Sequence, residues 1–214
     1  MTRVLVLGAT GRAGSAVLAH LAGRAETTAA IRARRDLGRV PGHAHVAVVD
    51  LDDPATIRAA LHEADVVVNA VRLREDIPGN ALIDLHHRIT GSAPGAEPPL
   101  VVTVGGAGAL RMPGGRRFWQ DPAFPRVTLP RGRAHAALRD HLEAGDAGDR
   151  WTYLVPPPAF LPDAPATGRY HTYRPGTDES TFTRRSVGYR DFALAVSDVV
   201  LRPRVGTLLV AADG

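Results

Sequence analysis

A doubly wound parallel α/β sheet with helices on both faces is predicted by three features of this 214-residue chain. Short apolar runs alternate with stretches of helical period from the N-terminus to about Gly108, the pattern of parallel strands covered on both sides. The first such run, Arg3-Val4-Leu5-Val6-Leu7, passes straight into Gly8-Ala9-Thr10-Gly11-Arg12-Ala13-Gly14, and a helical pattern follows over 15–21. The connections are short, which implies right-handed crossovers and a ligand site at the carboxyl ends of the strands.

Strands are expected over 3–7, 27–32, 45–49, 66–70 and 100–104. Between them, Asp53 followed by Pro54 reads as an N-cap with proline at the first helical position, and Ile57, Ala60 and Leu61 supply that helix's apolar face. Ala81, Leu82, Leu85 and Ile89 recur at helical spacing before Gly91, which suits a C-terminal cap. Past Gly108 the texture changes, and 109–130 is rich in Gly, Pro and aromatic residues without a period. An amphipathic helix is expected over 133–142 with Ala134, Ala137, Leu138 and Leu142 inward, then a strand over 151–154 and a loop over 156–165. Runs 170–174 and 181–184 read as a hairpin joined through Pro175-Gly176-Thr177-Asp178, before a helix over 190–201 and a last strand over 207–211. The expectation is one domain over 1–214, with 109–132 and 155–190 as a small, mostly C-terminal elaboration on the substrate side.

Composition removes several chemistries. All 26 basic residues are arginine, so there is no phosphate-loop lysine, no Schiff-base lysine and no Tyr-x-x-x-Lys pair. The absence of cysteine excludes disulfides, thiolate nucleophiles and thiolate-bound metals. His43-x-His45 and the adjacent His86-His87 lack partners at metal-ligand spacing, so no metal is expected. No Gly-x-Ser-x-Gly elbow is present to start a hydrolase triad. A net charge of +4 invites a nucleic-acid reading, but the arginines are scattered, with pairs only at Arg34-Arg35, Arg116-Arg117 and Arg184-Arg185, so a nucleic-acid partner is not expected. A first strand beginning at Arg3 leaves no room for a signal peptide, and no apolar run reaches the roughly 18 residues of a membrane span. A soluble, cytoplasmic protein is the expectation, without a membrane partner.

The glycine loop has a specific chemical use. Gly8 permits the tight turn off the strand, Gly11 lets backbone N–H groups approach a pyrophosphate, and Gly14 lets the helix pack close to the sheet. The phosphates of a dinucleotide would then meet the free amides at the positive end of the helix. Where an NAD site places an acidic residue after the second strand, this chain has Arg32, which suits a 2′-phosphate and hence NADP(H) in preference to NAD(H). Arg34 and Arg35 either join the same phosphate or begin a solvated helix.

These residues resemble the atypical short-chain dehydrogenase/reductases, a Rossmann-like family, and within it the NAD(P)H-binding proteins described as NADH-flavin reductases and the NmrA-like regulators. The resemblance spans nearly the whole chain. It is carried by the glycine loop, Arg32, Asp50-Leu51, Asn69-Ala70, Thr103-Val104-Gly105-Gly106-Ala107-Gly108, Trp151-Thr152-Tyr153-Leu154, Pro158-Ala159-Phe160, Thr167-Gly168-x-Tyr170 and Tyr189-x-Asp191. The Pro156-Pro157-Pro158 stretch is one residue longer than the family pattern. The resemblance implies a cofactor site made by Gly8, Thr10, Gly11, Arg12, Ala13, Gly14, Arg32, Asp50, Leu51, Asn69, Ala70, Val104, Gly105, Pro158 and Phe160. In it Arg12 reaches the 2′-phosphate, Leu51 packs on the adenine, and Asn69 either lies beside the nicotinamide-side ribose or caps a turn.

Reduction of a carbonyl creates an alkoxide that needs a positioned acid. The helix that would carry the Tyr-x-x-x-Lys pair reads Arg131-Gly132-Arg133-Ala134-His135, which leaves His135 as the candidate proton donor. Flavins and quinones take their protons from water after the hydride arrives, so they need positioning more than an acid. The expected function is therefore an NADPH-dependent reductase of a flavin, quinone or similar flat small-molecule acceptor, with Phe118, Trp119, Phe160 and Tyr170 available to stack. The alternative is a non-catalytic NADP(H)-binding sensor of the NmrA-like kind.

Overall fold

The computed structural model describes residues 1–72, 78–93, 98–145 and 150–212. Its first half is β1 (Arg3–Leu7), α1 (Arg12–Leu21), β2 (Glu26–Ile31), β3 (His45–Val48), α2 (Pro54–Leu61), β4 (Val66–Asn69), α3 (Ala81–Gly91) and β5 (Leu100–Val104). The second half is α4 (Leu129–Glu143), β6 (Trp151–Val155), β7 (Ala159–Leu161), β8 (His171–Tyr173), β9 (Ser186–Gly188), α5 (Tyr189–Leu201) and β10 (Gly206–Ala211). Eight strands form one sheet in the order β3-β2-β1-β4-β5-β6-β10-β8, parallel throughout except for β8, which runs antiparallel along β10.

Alternation along each strand explains why both sides of the sheet are covered. Val4, Val6, Val66, Val68, Leu100 and Val102 point to the layer of α1 and α5. Leu5, Leu7, Val67 and Val101 point to the opposite layer, where Ile57 and Leu61 of α2 and Leu85 and Ile89 of α3 meet them. Strands that bury both faces must be apolar at every position, as these are. Helix ends follow local chemistry: the Asp53 carboxylate accepts from the Ala55 amide at 2.9 Å, with Pro54 at the first turn. Strand order reverses between β1 and β4, which opens a crevice at their carboxyl ends. Among the described residues no helix is long and apolar enough to cross a membrane.

The second half departs from expectation in two places. The expected hairpin does not form: β8 pairs with β10, residues Ser180–Arg184 make a 3-10 turn, and β9 pairs parallel with β7. The cause lies at Glu179, whose carboxylate turns inward to a buried arginine and prevents 181–184 from lying alongside β8. Helix α4 is longer than 133–142, and its buried positions include Ala136 and Arg139, whereas Ala137 is only half-buried.

Candidate functional site

At the switch point the glycine loop has the geometry its sequence demands. Gly8 holds φ +74, and a Cβ there would lie 2.5 Å from the Ala70 carbonyl oxygen at the end of β4. A Cβ on Gly14 would lie 2.3 Å from the Gly8 carbonyl oxygen, so α1 can sit this close to the loop only with glycine in its first turn. Gly11 is the N-cap of α1, no side chain caps that end, and the first turn carries no acidic residue. Its amides and dipole therefore face the crevice uncompensated, as an anion site requires. Thr10 and Ala13 are half-buried, while Gly11 and Arg12 are exposed.

Asn69, at the end of β4 between Leu7 and Thr103, is 2 % exposed. Its Oδ1 accepts from the Val71 amide at 3.2 Å, but among the described residues its Nδ2 has no partner. An orphaned buried amide costs on the order of 1–3 kcal/mol unless a ligand accepts from it. With the glycine cradle, this donor fits a bound dinucleotide. The turn-capping alternative for Asn69 is met through Oδ1, and Nδ2 is left over as a donor.

Arg32 follows β2 and is exposed beside the crevice. Sequence reading missed Arg39, which closes a 3-10 turn over Arg34–Arg39 and donates to the Thr10 carbonyl at 2.9 Å. Asp50 is committed to its own turn, accepting from the Asp52 amide at 3.0 Å. Leu51 packs toward the layer of α2. Ala70 donates its amide to Leu7 at 3.0 Å, tying β4 to the base of the glycine loop.

Beyond β5, Gly105 donates to the Leu154 carbonyl at 2.8 Å and follows half-buried Val104. A Cβ on Gly106 would lie 2.6 Å from the His135 ring. His135 Nδ1 lies 3.0 Å from the hydroxyl of fully buried Tyr153, and that hydroxyl also meets the His135 carbonyl at 3.2 Å and the Gly106 amide at 3.4 Å. Burial, reinforced by the Arg131 charge, pulls His135 down to about 4. Burial likewise pushes the Tyr153 phenol above its usual range. At neutral pH His135 is therefore an uncharged imidazole, a hydrogen-bonding group with little acid strength.

The four aromatic residues expected to stack fall into two groups. Phe118 packs edge-on to Phe124 at 5.3 Å, and Trp119 carries the Arg133 guanidinium at 5.0 Å, both beside α4. Phe160 instead stacks on Tyr189 at 3.9 Å and Tyr170 donates to Asp198 at 2.8 Å, both beside α5. Pro158 is exposed at the turn before Phe160. Asp191 accepts from the Thr167 and Gly168 amides at 3.0 and 2.9 Å, so the Thr167-Gly168 and Tyr189-x-Asp191 motifs lock one loop to α5.

An ionic network that sequence reading did not anticipate fixes the loops of the second half. Arg139, fully buried on α4, grips Glu179 through two bonds of 2.8 and 2.7 Å and Glu143 at 2.9 Å. Glu179 also accepts from the Arg111 amide at 2.8 Å, and Glu143 from the Thr207 hydroxyl at 2.7 Å. Burial would raise the Glu143 carboxyl, yet Arg139, Thr207 and Arg111 together hold it below the usual range. Arg117 bonds Asp140 and donates to the Ala109 carbonyl at 2.8 Å. The spacing of Arg139 and Glu143 by four residues was the visible signal, but the partner Glu179 lies forty residues away.

The whole-chain comparison agrees with this geometry. A family model described as NAD(P)H-binding matches residues 8–203. The chain belongs to the NAD(P)H-binding family. A nicotinamide cofactor goes with that family, and the crevice at β1 and β4 is the candidate site for it. A comparison with curated proteins finds no match. Among solved structures, a protein of Streptococcus pneumoniae TIGR4 provisionally named an NADH-flavin reductase is 21% identical, with a TM-score of 0.81 and 100% of both chains covered. A provisionally named epimerase of Bacteroides thetaiotaomicron is 20% identical, with a TM-score of 0.84, covering 100% of this chain and 98% of that one. A provisionally named exported protein of Burkholderia pseudomallei is 25% identical, with a TM-score of 0.80, covering 99% of this chain and 100% of that one. Three different names on one fold leave the reaction to be argued from the site.

Proposed function

We propose that this NAD(P)H-binding protein is an NADPH-dependent reductase whose acceptor is a flavin, a quinone or a similar flat molecule. The observation that carries the proposal is His135, held uncharged against Tyr153 beside Gly105 and Gly106, where a carbonyl reductase needs an acid. The bound nicotinamide supplies a hydride. This chain's residues bind and orient: the uncapped amides of α1 take the pyrophosphate, and the unpartnered Nδ2 of Asn69 donates to the cofactor. Arg12 and Arg32 confer the preference for the 2′-phosphate, each charged hydrogen bond contributing roughly 1.5–3 kcal/mol. The cytoplasm, where reduced NADPH is maintained, is the proposed location.

Oxidation of NADPH followed at its near-ultraviolet absorbance, with free flavin and a panel of quinones, tests the reaction. Steady turnover is expected, with NADPH favoured over NADH, and Arg32→Glu should lower that preference about tenfold or more. Equal affinity for the two cofactors in the wild type would defeat the roles given to Arg12 and Arg32. Tight NADPH binding with no turnover on any acceptor would replace the reductase by an NADP(H) sensor, a reading that the same uncharged His135 supports.

A further inference from the structure

Outside the cofactor crevice, the packing of α3 against α4 brings together two histidines that lie 54 residues apart in the chain. Their Nε2 atoms are 2.9 Å apart, with the rings edge-on at a centroid distance of 4.8 Å and an interplanar angle of 72°. His87 is exposed on α3 and His141 half-buried in the last turn of α4, so the pair is open to solvent. We propose that His87 and His141 form a bridging site for a divalent transition-metal ion of square-planar or octahedral preference, Cu(II) or Ni(II).

Metal–imidazole bonds of about 2.0–2.1 Å drawn from two nitrogens at 2.9 Å meet at roughly 90°, the cis angle of a square-planar or octahedral ion. A tetrahedral ion such as Zn(II) wants the nitrogens about 3.3 Å apart. Imidazole is a preferred ligand for Cu(II) and Ni(II), and the affinity order places Cu(II) highest. In the metal-free pair one ring donates Nε2–H to the other's lone pair. On binding, that proton moves to Nδ1 through water, both Nε2 lone pairs become available, and no net proton leaves the pair. The two imidazoles supply two of the ligands in this proposal, and water takes the remaining positions, so the ion exchanges readily. Both ligands sit on helices, which fixes their separation and pins α3 to α4 when the ion is bound. The site escapes a search by local spacing because each helix contributes one ligand.

Titration of the metal-free protein with CuCl2 or NiCl2 in a calorimeter should give one ion per chain. At a hundredfold excess over Kd the Tm should rise by roughly 5–10 °C. Cu(II) electron paramagnetic resonance should show two equatorial nitrogens. His87→Gln and His141→Gln should each weaken binding about tenfold or more, because either leaves a single anchoring ligand. His20→Gln, at a histidine that bonds the Arg190 carbonyl elsewhere, should leave binding unchanged. Equal Tm values of the metal-free variants and wild type show that the fold is intact. Wild-type affinity in both His87→Gln and His141→Gln, or an equal loss in His20→Gln, would overturn the proposal.

Discussion

The sheet's first half, β1 to β5, and its second half, β6 to β10 with the loops around them, are held by different physics. In the first, the strand positions that face the helix layers are mostly aliphatic, and among the geometric demands beyond packing the tightest fall on Gly8 and Gly14 of the glycine loop. In the second, the loops over 107–120 and 176–184 are fastened to α4 by Arg139, Glu179, Glu143, Arg111 and Arg117. Apolar burial is tolerant of detail, since any side chain of suitable volume continues the pattern. A buried ion pair is not, because removal of one partner strands a charge in a low-dielectric interior.

The largest test of that contrast is Glu179→Ala. It leaves the fully buried Arg139 without its two-bonded partner and deprives the Arg111 amide of its acceptor, so a loss of about 3–5 kcal/mol is expected. In thermal unfolding this corresponds to a Tm lower by roughly 6–20 °C for a chain of this size. Arg139→Met combined with Glu179→Gln should cost less than Glu179→Ala alone, since it removes the charge and keeps an acceptor for the Arg111 amide. A single variant within about 1 kcal/mol of wild type would show that the network is solvent-compensated and that the two halves are not distinct in this sense.

The corresponding test in the first half is Gly14→Ala. The new Cβ would run into the backbone of the glycine loop, at 2.3 Å from the Gly8 oxygen and 3.0 Å from Ala9 Cα, and backbone cannot yield cheaply. A loss of about 1–3 kcal/mol is expected, with NADPH binding weakened in fluorescence titration because the loop is displaced. Gly91→Ala makes the contrast internal: it ends α3 with nothing among the described residues within 4 Å of its Cβ, and should be neutral or slightly stabilising. If the two substitutions behaved alike, the close approach of α1 to the loop would not be what fixes Gly14.

The same contrast explains what could be read from the sequence. β1, β4, β5, the Asp53 cap and the glycine loop were legible because each is specified by residues next to one another. Asn69 was legible as a residue at the exit of the fourth strand, although its unpartnered donor was not, since that depends on what the surrounding strands leave unpaired. Arg39 at Thr10, Tyr153 at His135 and Glu179 at Arg139 were not legible, because each contact joins segments whose distance is set only by the finished fold. The expected hairpin failed for that reason: residues 181–184 have strand-like composition, but the inward turn of Glu179 outweighs local propensity. Phe118 and Phe160 seemed equivalent as aromatics in loops, and only the packing around α4 and α5 separates them.

At neutral pH no effect is expected from the joint between the halves, where His135 of α4 meets Gly106 after β5 and Tyr153 of β6, and its contribution shows only on acidification. Its imidazole titrates at about 4 in the folded protein, below the ordinary 6.5, owing to burial and then to Arg131. The unfolded chain therefore binds more protons than the native one between these values, and stability must rise with pH across that interval. No stability is lost above about pH 6.5, and it is lost progressively as pH falls towards about 4, with a slope of roughly 1 kcal/mol per pH unit near pH 5. His135→Gln keeps a polar group against Tyr153 but cannot take up the proton. Urea unfolding at pH 4.5, 5.5 and 7 should accordingly show a flatter dependence in the variant, while the difference between variant and wild type stays constant above pH 7. Parallel profiles throughout would mean that His135 is hydrated enough to take up its proton in the native state as readily as in the unfolded chain.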